Sequence, residues 1–497
     1  MKRTILLYFL TCLFFCSSTH AQIGGDSNSL TKRQMFEDFD LFFYKLDSIN
    51  PNLEVVKKTT GYDILAELRN LRQKIDTVTN DMGFFDIMYR AMILCKDRHV
   101  SFTPTNTQDT LVAKLANNNL KKVMKIYNKY DERFNPFPIY YVDGKYYATD
   151  VFSLNSELLV PAKSQIIQIN NLAVDEYIEK YVVPIYEQPR WDNKHKKYYV
   201  RTLFPPKRTG FSDKFIVTYL NNGKTEIKEL SEYKINFPLN KGVFDPNVLY
   251  LSRDKILYIR VPVMNHEWIK DYKDNILKNK GKEIDKVVID IRGNGGGSDF
   301  VWIGILSAII DKPISSLERL AFKDNNLVKE YLKKNNITYT SEELDKEPLY
   351  IGKDKYFCIQ APRKIDPDEN SLRYTGNIYV LTDFRCFSSA LAFSAYCQNV
   401  ERLITVGNPS GFLCGQGVTP FYFTFPNSKI SFRIPNCLDA TNVAPNDFYG
   451  YYHNFVEIPV DLSLEYLTTE SAFEGLMFSE DYLYSIDPVF RKILDLQ

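Results

Sequence analysis

Neither sign of charge is in excess. The 497 residues carry 62 Lys and Arg against 61 Asp and Glu, a net charge of +1. No overall field draws the chain to nucleic acid, so that class of partner is set aside. Histidine is scarce: apart from His20, only His99, His195, His266 and His453 are present. The eight cysteines form no Cys-x-x-Cys pair, and no His/Cys cluster has zinc-ligand spacing. That excludes a structural metal site of the usual kind. Past the N-terminus no stretch reaches about 18 apolar residues, so no second membrane anchor is visible. No Gly-x-Ser-x-Gly follows a strand, and Gly407-Asn408-Pro409-Ser410-Gly411 has the wrong spacing, which disfavours a lipase-type hydrolase. Lysine is absent from Ile365 to Ser428. Internal repeats and low-complexity tracts are absent too.

What is present is ample for real cores. Hydrophobic residues make up 44% of the chain, and 34 Tyr with 34 Phe point to β-rich parts. At roughly 150 residues per domain, two or three domains are expected. Lys2 and Arg3 precede an apolar run from Ile5 to Cys16, and Ser17-Ser18-Thr19-His20-Ala21 offers a small-residue cleavage site. This predicts a cleaved leader over 1–21 and an exported protein, periplasmic, cell-surface or secreted. Cys16 could carry a lipid anchor, but the bulky Phe14 and Phe15 before it argue against one. Export permits disulfides among Cys95, Cys358, Cys386, Cys397, Cys414 and Cys437, whose pairing is not readable.

The period of the apolar residues divides the mature chain. From about Thr31 to Lys96 it is helical, with Pro51 breaking the first helix and a third helix over Met82 to Leu94. Residues of about 115–235 read as mostly β, with hairpin signals at Asp143-Gly144 and Asn222-Gly223. From Ile256 onward strands alternate with helices, which predicts a β/α layered domain. The Lys- and Glu-rich stretch of about 320–350 reads as an exposed insertion.

Two turns in that domain could carry chemistry. In Val287-Val288-Ile289-Asp290-Ile291-Arg292-Gly293-Asn294-Gly295-Gly296-Gly297 a buried strand runs into consecutive glycines. Glycine tolerates positive φ and close approach, so such a turn can aim bare N–H groups at an oxyanion; it can also be a plain strand-to-helix turn. Thr382-Asp383-Phe384-Arg385-Cys386-Phe387-Ser388-Ser389 joins a strand to an apolar helix. Ser388 there is either a helix cap or a nucleophile beside free N–H groups. Both turns follow strand C-termini, where open α/β sheets place their sites.

With these residues the chain resembles the C-terminal processing peptidases, tail-specific serine proteases related to the tricorn core protease. The resemblance rests on Asp290 to Gly297, the Ser388 turn, Val406-Gly407-Asn408-Pro409, Asp97-Arg98-His99, and Ser164 to Asn171, which resembles part of the family's PDZ domain. It covers nearly the whole mature chain. It implies an α/β fold: a crotonase-like β/α catalytic domain with an N-terminal helical domain and a PDZ-like β domain. The expected boundaries are 22–114 helical, 115–235 PDZ-like and 236–497 catalytic.

The implied activity is peptide-bond hydrolysis on a peptide or protein substrate, with neither metal nor organic cofactor. Ser388 is then the nucleophile, and Ser389 with Gly296 or Gly297 supplies the oxyanion N–H groups. The processing branch uses a Ser/Lys dyad, with Lys about 25 residues past the serine. The gap in lysine from Ile365 to Ser428 excludes that dyad and leaves His99 as the base, as in the tricorn-like branch. The acid that would orient His99 stays open between Glu457 and Asp447. Asn171, where the PDZ pattern has Gly, suggests a degraded module. An inactive homologue that binds peptide or a small apolar ligand is the alternative. A crotonase-type hydratase is disfavoured by export. Oligomeric state is not readable.

Overall fold

The computed structural model describes residues 29–132, 137–153, 155–186, 189–203, 215–230, 233, 242–410, 420–443 and 455–496. The expected leader, Cys414, Asp447 and His453 lie outside the described residues. The protein is a mixed α/β structure. At its centre is a six-stranded sheet in the order Asn247–Leu251, Ile256–Arg260, Lys286–Asp290, Ile378–Thr382, Leu403–Gly407, Ile458–Pro459. The first pair is antiparallel and every other pair is parallel.

The apolar runs become parallel strands because both faces are covered. Side chains alternate between the faces. Leu257, Ile259, Val287, Ile289 and Val380 pack against the helices Ile269–Leu277, Phe300–Ile309 and Ser389–Cys397. Ile256, Tyr258, Val288, Tyr379, Leu381 and Val406 pack against the C-terminal helices Glu480–Ser485 and Pro488–Leu494.

The N-terminal helices follow their sequence punctuation. Thr31 and Gln34 form a capping box ahead of Lys32–Ile49, and Asp63 and Asn80 cap Ile64–Gln73 and Asp81–Leu94. The expected boundary at 114/115 falls inside the helix Thr110–Glu132. That helix buries Ala116, Val123 and Ile126, an apolar stripe at helical spacing.

An antiparallel sheet follows, in the order Thr202–Leu203, Phe137–Val142, Lys145–Ala148, Gln165–Ile169, Ile216–Asn221, Lys224–Glu229. Its two hairpins turn at Asp143-Gly144 (φ 46° and 77°) and Asn222-Gly223 (φ 47° and 77°), the positive pair that a two-residue turn needs. Among the described residues no helix is long and apolar enough to cross a membrane.

The 320–350 stretch is not simply an exposed insertion. The strand Ile314–Lys323 belongs to a four-stranded antiparallel sheet, and the helix Asn326–Lys334 follows it. Phe322, Val328 and Leu332 are buried in the same core as the N-terminal helices. Its lysines and glutamates mask a narrow apolar stripe, which alone carries the burial.

The N-terminal helices are locked to the C-terminal part of the chain. Ser101–Thr103 pairs antiparallel with Ser431–Ile434, register Ser101 to Arg433. The turn before that strand is gripped by Asp38, which is fully buried. Its carboxylate accepts from the amides of Asn427 (2.9 Å) and Ser428 (2.8 Å). Asn119 Nδ2 donates to the Ser428 carbonyl at 2.9 Å. Replacing Asp38 with Ala strands those amides in a dry place. We expect Asp38→Ala to lower unfolding free energy by roughly 2–4 kcal/mol, read as a drop in the urea midpoint.

Candidate active site

The strand Lys286–Asp290 delivers the glycine loop, and a buried charge cluster sets its entry. Arg292 donates to both Asp290 and Asp487, and Tyr258 donates to Asp290 at 2.6 Å. Arg260 Nη1 donates to the Asp290 carbonyl at 3.1 Å. Asp487 also caps Pro488–Leu494, so the loop is tied to the C-terminal helix. Beyond Arg292 the loop folds around Asn294, whose Nδ2 donates to the Val261 carbonyl and whose carbonyl accepts from Phe387 N–H.

Gly296 and Gly297 have φ of 99° and 136°. A Cβ on Gly296 would sit 2.6 Å from Ser388 Cβ, and one on Gly297 2.2 Å from the Met264 carbonyl oxygen. Both positions therefore require glycine, for conformation and for space.

The strand Ile378–Thr382 delivers the serine loop, and Asp383 stitches the two loops together. Its Oδ1 accepts from Gly293 N–H and Arg385 N–H, both at 2.9 Å, and its Oδ2 from Arg385 Nε at 2.7 Å. Burial works against its charge. The Arg385 guanidinium and the two amides outweigh that and hold the carboxyl at about 2.

Ser388 ends this loop with φ 54° and ψ −121°, a region a non-glycine residue rarely occupies. It stands at the N-cap position of Ser389–Cys397, yet its side chain makes no capping hydrogen bond. The capping reading fails, and the hydroxyl is directed elsewhere.

It meets His99. His99 Nε2 lies 3.1 Å from Ser388 Oγ, across 289 positions of sequence. His99 is only 7% exposed, and its ring stacks on Phe387 with centroids 4.6 Å apart. Its other nitrogen, Nδ1, is 2.9 Å from Asp97 Oδ1, which also accepts His99 N–H. Asn52 Nδ2 donates to Asp97 Oδ2 at 3.1 Å. Asp97, with 2% exposure, thus fixes the ring from two residues away, in the turn that follows Asp81–Leu94. This acid was missed in the sequence; the signal was its place two residues before the histidine, within reach of both the ring and the amide.

Glu457 is engaged elsewhere. Its Oε2 accepts from Thr405 N–H at 2.8 Å, and its own N–H donates to Thr405 Oγ1. Burial raises its carboxyl above the ordinary range, against those amides. Glu457 sits just before the edge strand Ile458–Pro459 and is spent on Thr405 of the neighbouring strand.

Of the expected oxyanion donors, Gly296 N–H is also spent, on Asn294 Oδ1 at 2.7 Å. Ser389 N–H, in the first turn of its helix, and Gly297 N–H carry no hydrogen bond among the described residues. Ser389 Oγ donates to Asp299 at 2.6 Å, and Arg363 holds Asp299 at 3.0 Å. His195 pairs with Asp192, away from this cluster. Cys95, Cys358, Cys386, Cys397 and Cys437 are all buried, and none forms a disulfide among the described residues. Among the described residues no group of three His, Cys, Asp or Glu could hold a metal ion.

Residues 255–437 match peptidase family S41. Over that span the chain is similar to the serine peptidases of this family. The resemblance read from Asp290–Gly297 and the Ser388 turn therefore holds at the level of the family. No curated protein matches the sequence. Among solved structures, mature CPAF is similar at 13% identity over 88% of this chain and 95% of that one, with a TM-score of 0.54. Mature CPAF complexed with lactacystin is similar at 13% identity over 93% of this chain and 98% of that one, with a TM-score of 0.53. At that identity the likeness is one of fold.

Two outcomes follow for this site. Gly296→Ala should cut peptidase activity by about 100-fold or more, because the new methyl displaces Ser388, while the circular dichroism spectrum stays native. Asp383 titrates lower in the folded chain than in the unfolded one, near 3.9. Its contribution, about 2 kcal/mol, is present above about pH 4 and lost as pH falls toward 2. Urea midpoints measured across that window should fall less steeply in Asp383→Asn.

Proposed function

We propose that this protein is an exported serine endopeptidase of the tail-specific, tricorn-like kind, working through Ser388, His99 and Asp97. The observation that carries the reading is the 3.1 Å contact between His99 Nε2 and Ser388 Oγ, made by a strained serine that caps nothing. A binding-only homologue would not need that contact. Support for export is the basic, apolar and small-residue order of 1–21. The six-stranded sheet is consistent with a crotonase-like catalytic domain, and the antiparallel sheet that includes Gln165–Ile169 with a PDZ-like one.

The chemistry follows from the geometry. His99 Nε2 takes the Ser388 hydroxyl proton as Oγ bonds to the substrate carbonyl carbon. Asp97, accepting Nδ1–H, keeps the correct tautomer and balances the imidazolium that forms. The carbonyl π pair moves onto oxygen, and Ser389 N–H and Gly297 N–H receive it. Collapse breaks the C–N bond, and His99 gives its proton to the leaving amine. Water then attacks the acyl-serine in the same way, with His99 first as base and then as acid, and releases the new carboxylate.

A fluorophosphonate probe tests this. The labelled peptide should contain Ser388, and the labelled protein recovered from the producing cell should begin at Gln22. Ser388→Ala should abolish labelling and Ser389→Ala should retain some. His99→Gln should remove most of the rate and the fall in activity on acidification, since a general-base imidazole must be neutral. Asp97→Asn should lower kcat by at least about 100-fold with little change in KM. Labelling that survives in Ser388→Ala defeats the assignment.

A further inference from the structure

Three guanidinium groups meet at the ring of Phe384, on the loop that runs into Ser388. Arg201 Cζ lies 3.8 Å from the ring centroid, Arg190 Cζ 4.7 Å and Arg385 Cζ 5.4 Å. Two of them are anchored. Arg190 Nε donates to the Phe384 carbonyl at 2.9 Å, and Arg385 is held by Asp383. The Arg201 guanidinium has no hydrogen bond or ion pair among the described residues; the face of Phe384 is its contact. It is half-buried, so the group is neither bathed in solvent nor paired.

The charges around it do not balance. Burial first, then Arg385 and Arg190, push Arg201 down to about 10, against the opposing pull of Glu470 and Asp383. Both acids are committed: Asp383 to Gly293 and Arg385, Glu470 to the hydroxyls of Tyr466 and Tyr482 at 2.7 and 2.9 Å. A half-buried site with an unspent planar fork and two more cations beside it lacks an anion. A carboxylate is the anion that fits a guanidinium fork edge to edge.

We propose that Arg201, with Arg190 and Arg385, binds a carboxylate of the peptide substrate and so sets where the chain is cut. The proposal rests on the peptidase reading above. Arg385 lies against Gly293, its Cζ 3.4 Å from where a Cβ would stand, so the arginine cluster borders the glycine loop as well as the serine loop. Phe384 precedes Ser388 by four residues, a span of at most about 14 Å. The carboxylate therefore lies within about four extended residues of the scissile bond. Its source is either an acidic side chain or the free C-terminus of the peptide.

The test uses fluorescein-labelled Ala/Leu decapeptides and the full chain with Ser388→Ala. One Glu is walked along the peptide, each version paired with its Gln counterpart, and a free C-terminus is paired with its amide. Anisotropy should show about tenfold tighter binding for one member: a Glu position if the source is a side chain, the free C-terminus if it is the α-carboxylate. The preference should shrink between 50 and 500 mM salt. It should fall below about twofold with Arg201→Gln and be partly kept with Arg201→Lys. The salt series needs no change at Arg201, so it stands even if those variants misfold. No preference for any carboxylate, or one that Arg201→Gln in a folded chain leaves intact, overturns the proposal. Carboxylate-dependent binding without cleavage by the unmodified chain would retire the catalytic reading and keep this site. Cleavage without any carboxylate preference would do the reverse.

Discussion

The contact between His99 and Ser388 is the point on which the rest of the molecule bears. A hydrogen bond of this kind contributes about 1 kcal/mol net, far too little to hold two parts of a chain in register. Packing does that. One buried core runs from the N-terminal helices through the antiparallel sheet to Phe421 and Phe432. The ladder of Ser101–Thr103 on Ser431–Ile434 then fixes the register two residues past His99. A slip of one residue would turn each side chain to the opposite face, so the imidazole has one place to go.

Buried charge shapes the two loops of the site. Ion pairs such as Arg292 with Asp290 and Asp487 are poor sources of net stability, because desolvating each ion offsets most of the attraction. What they supply is a single geometry. Arg292 ties the glycine loop to the helix Pro488–Leu494, and Asp383 ties it to the serine loop. Ser388 is held at positive φ by this frame, and strain of about 1–3 kcal/mol persists only where the surroundings over-determine it.

Local charge departs from the overall balance. The chain is near neutral as a whole, yet Arg190, Arg201 and Arg385 converge on one ring beside the serine loop. Net charge bounds long-range steering and says nothing about a local cluster, where field depends on which charges share it and how far water is excluded.

Much of the frame was legible because it rests on local rules. Apolar runs at 256–261, 287–291, 377–382 and 403–407 became the parallel strands, and Asp143-Gly144 and Asn222-Gly223 became hairpin turns. Ser388 was a candidate by its place after a strand, and the family resemblance pointed to it as nucleophile and to His99 as base. The helix Thr110–Glu132 was misread as part of a β stretch, since its apolar stripe is narrow and its outer face polar. The 320–350 stretch was misread for the same reason. Polar composition hides burial whenever only a stripe is covered. The partners of side chains lay further out of reach. That Asp97 and not Glu457 meets His99, that Gly296 N–H is spent on Asn294, and that three arginines surround Phe384 all depend on distances across chain segments far apart in sequence. Local propensity and period determined the elements and the residues capable of chemistry. Only the tertiary structure decided which of those residues touch, because hydrogen bonds and ion pairs act over a few ångströms, and it is the packed core that brings His99 and Ser388 within that range.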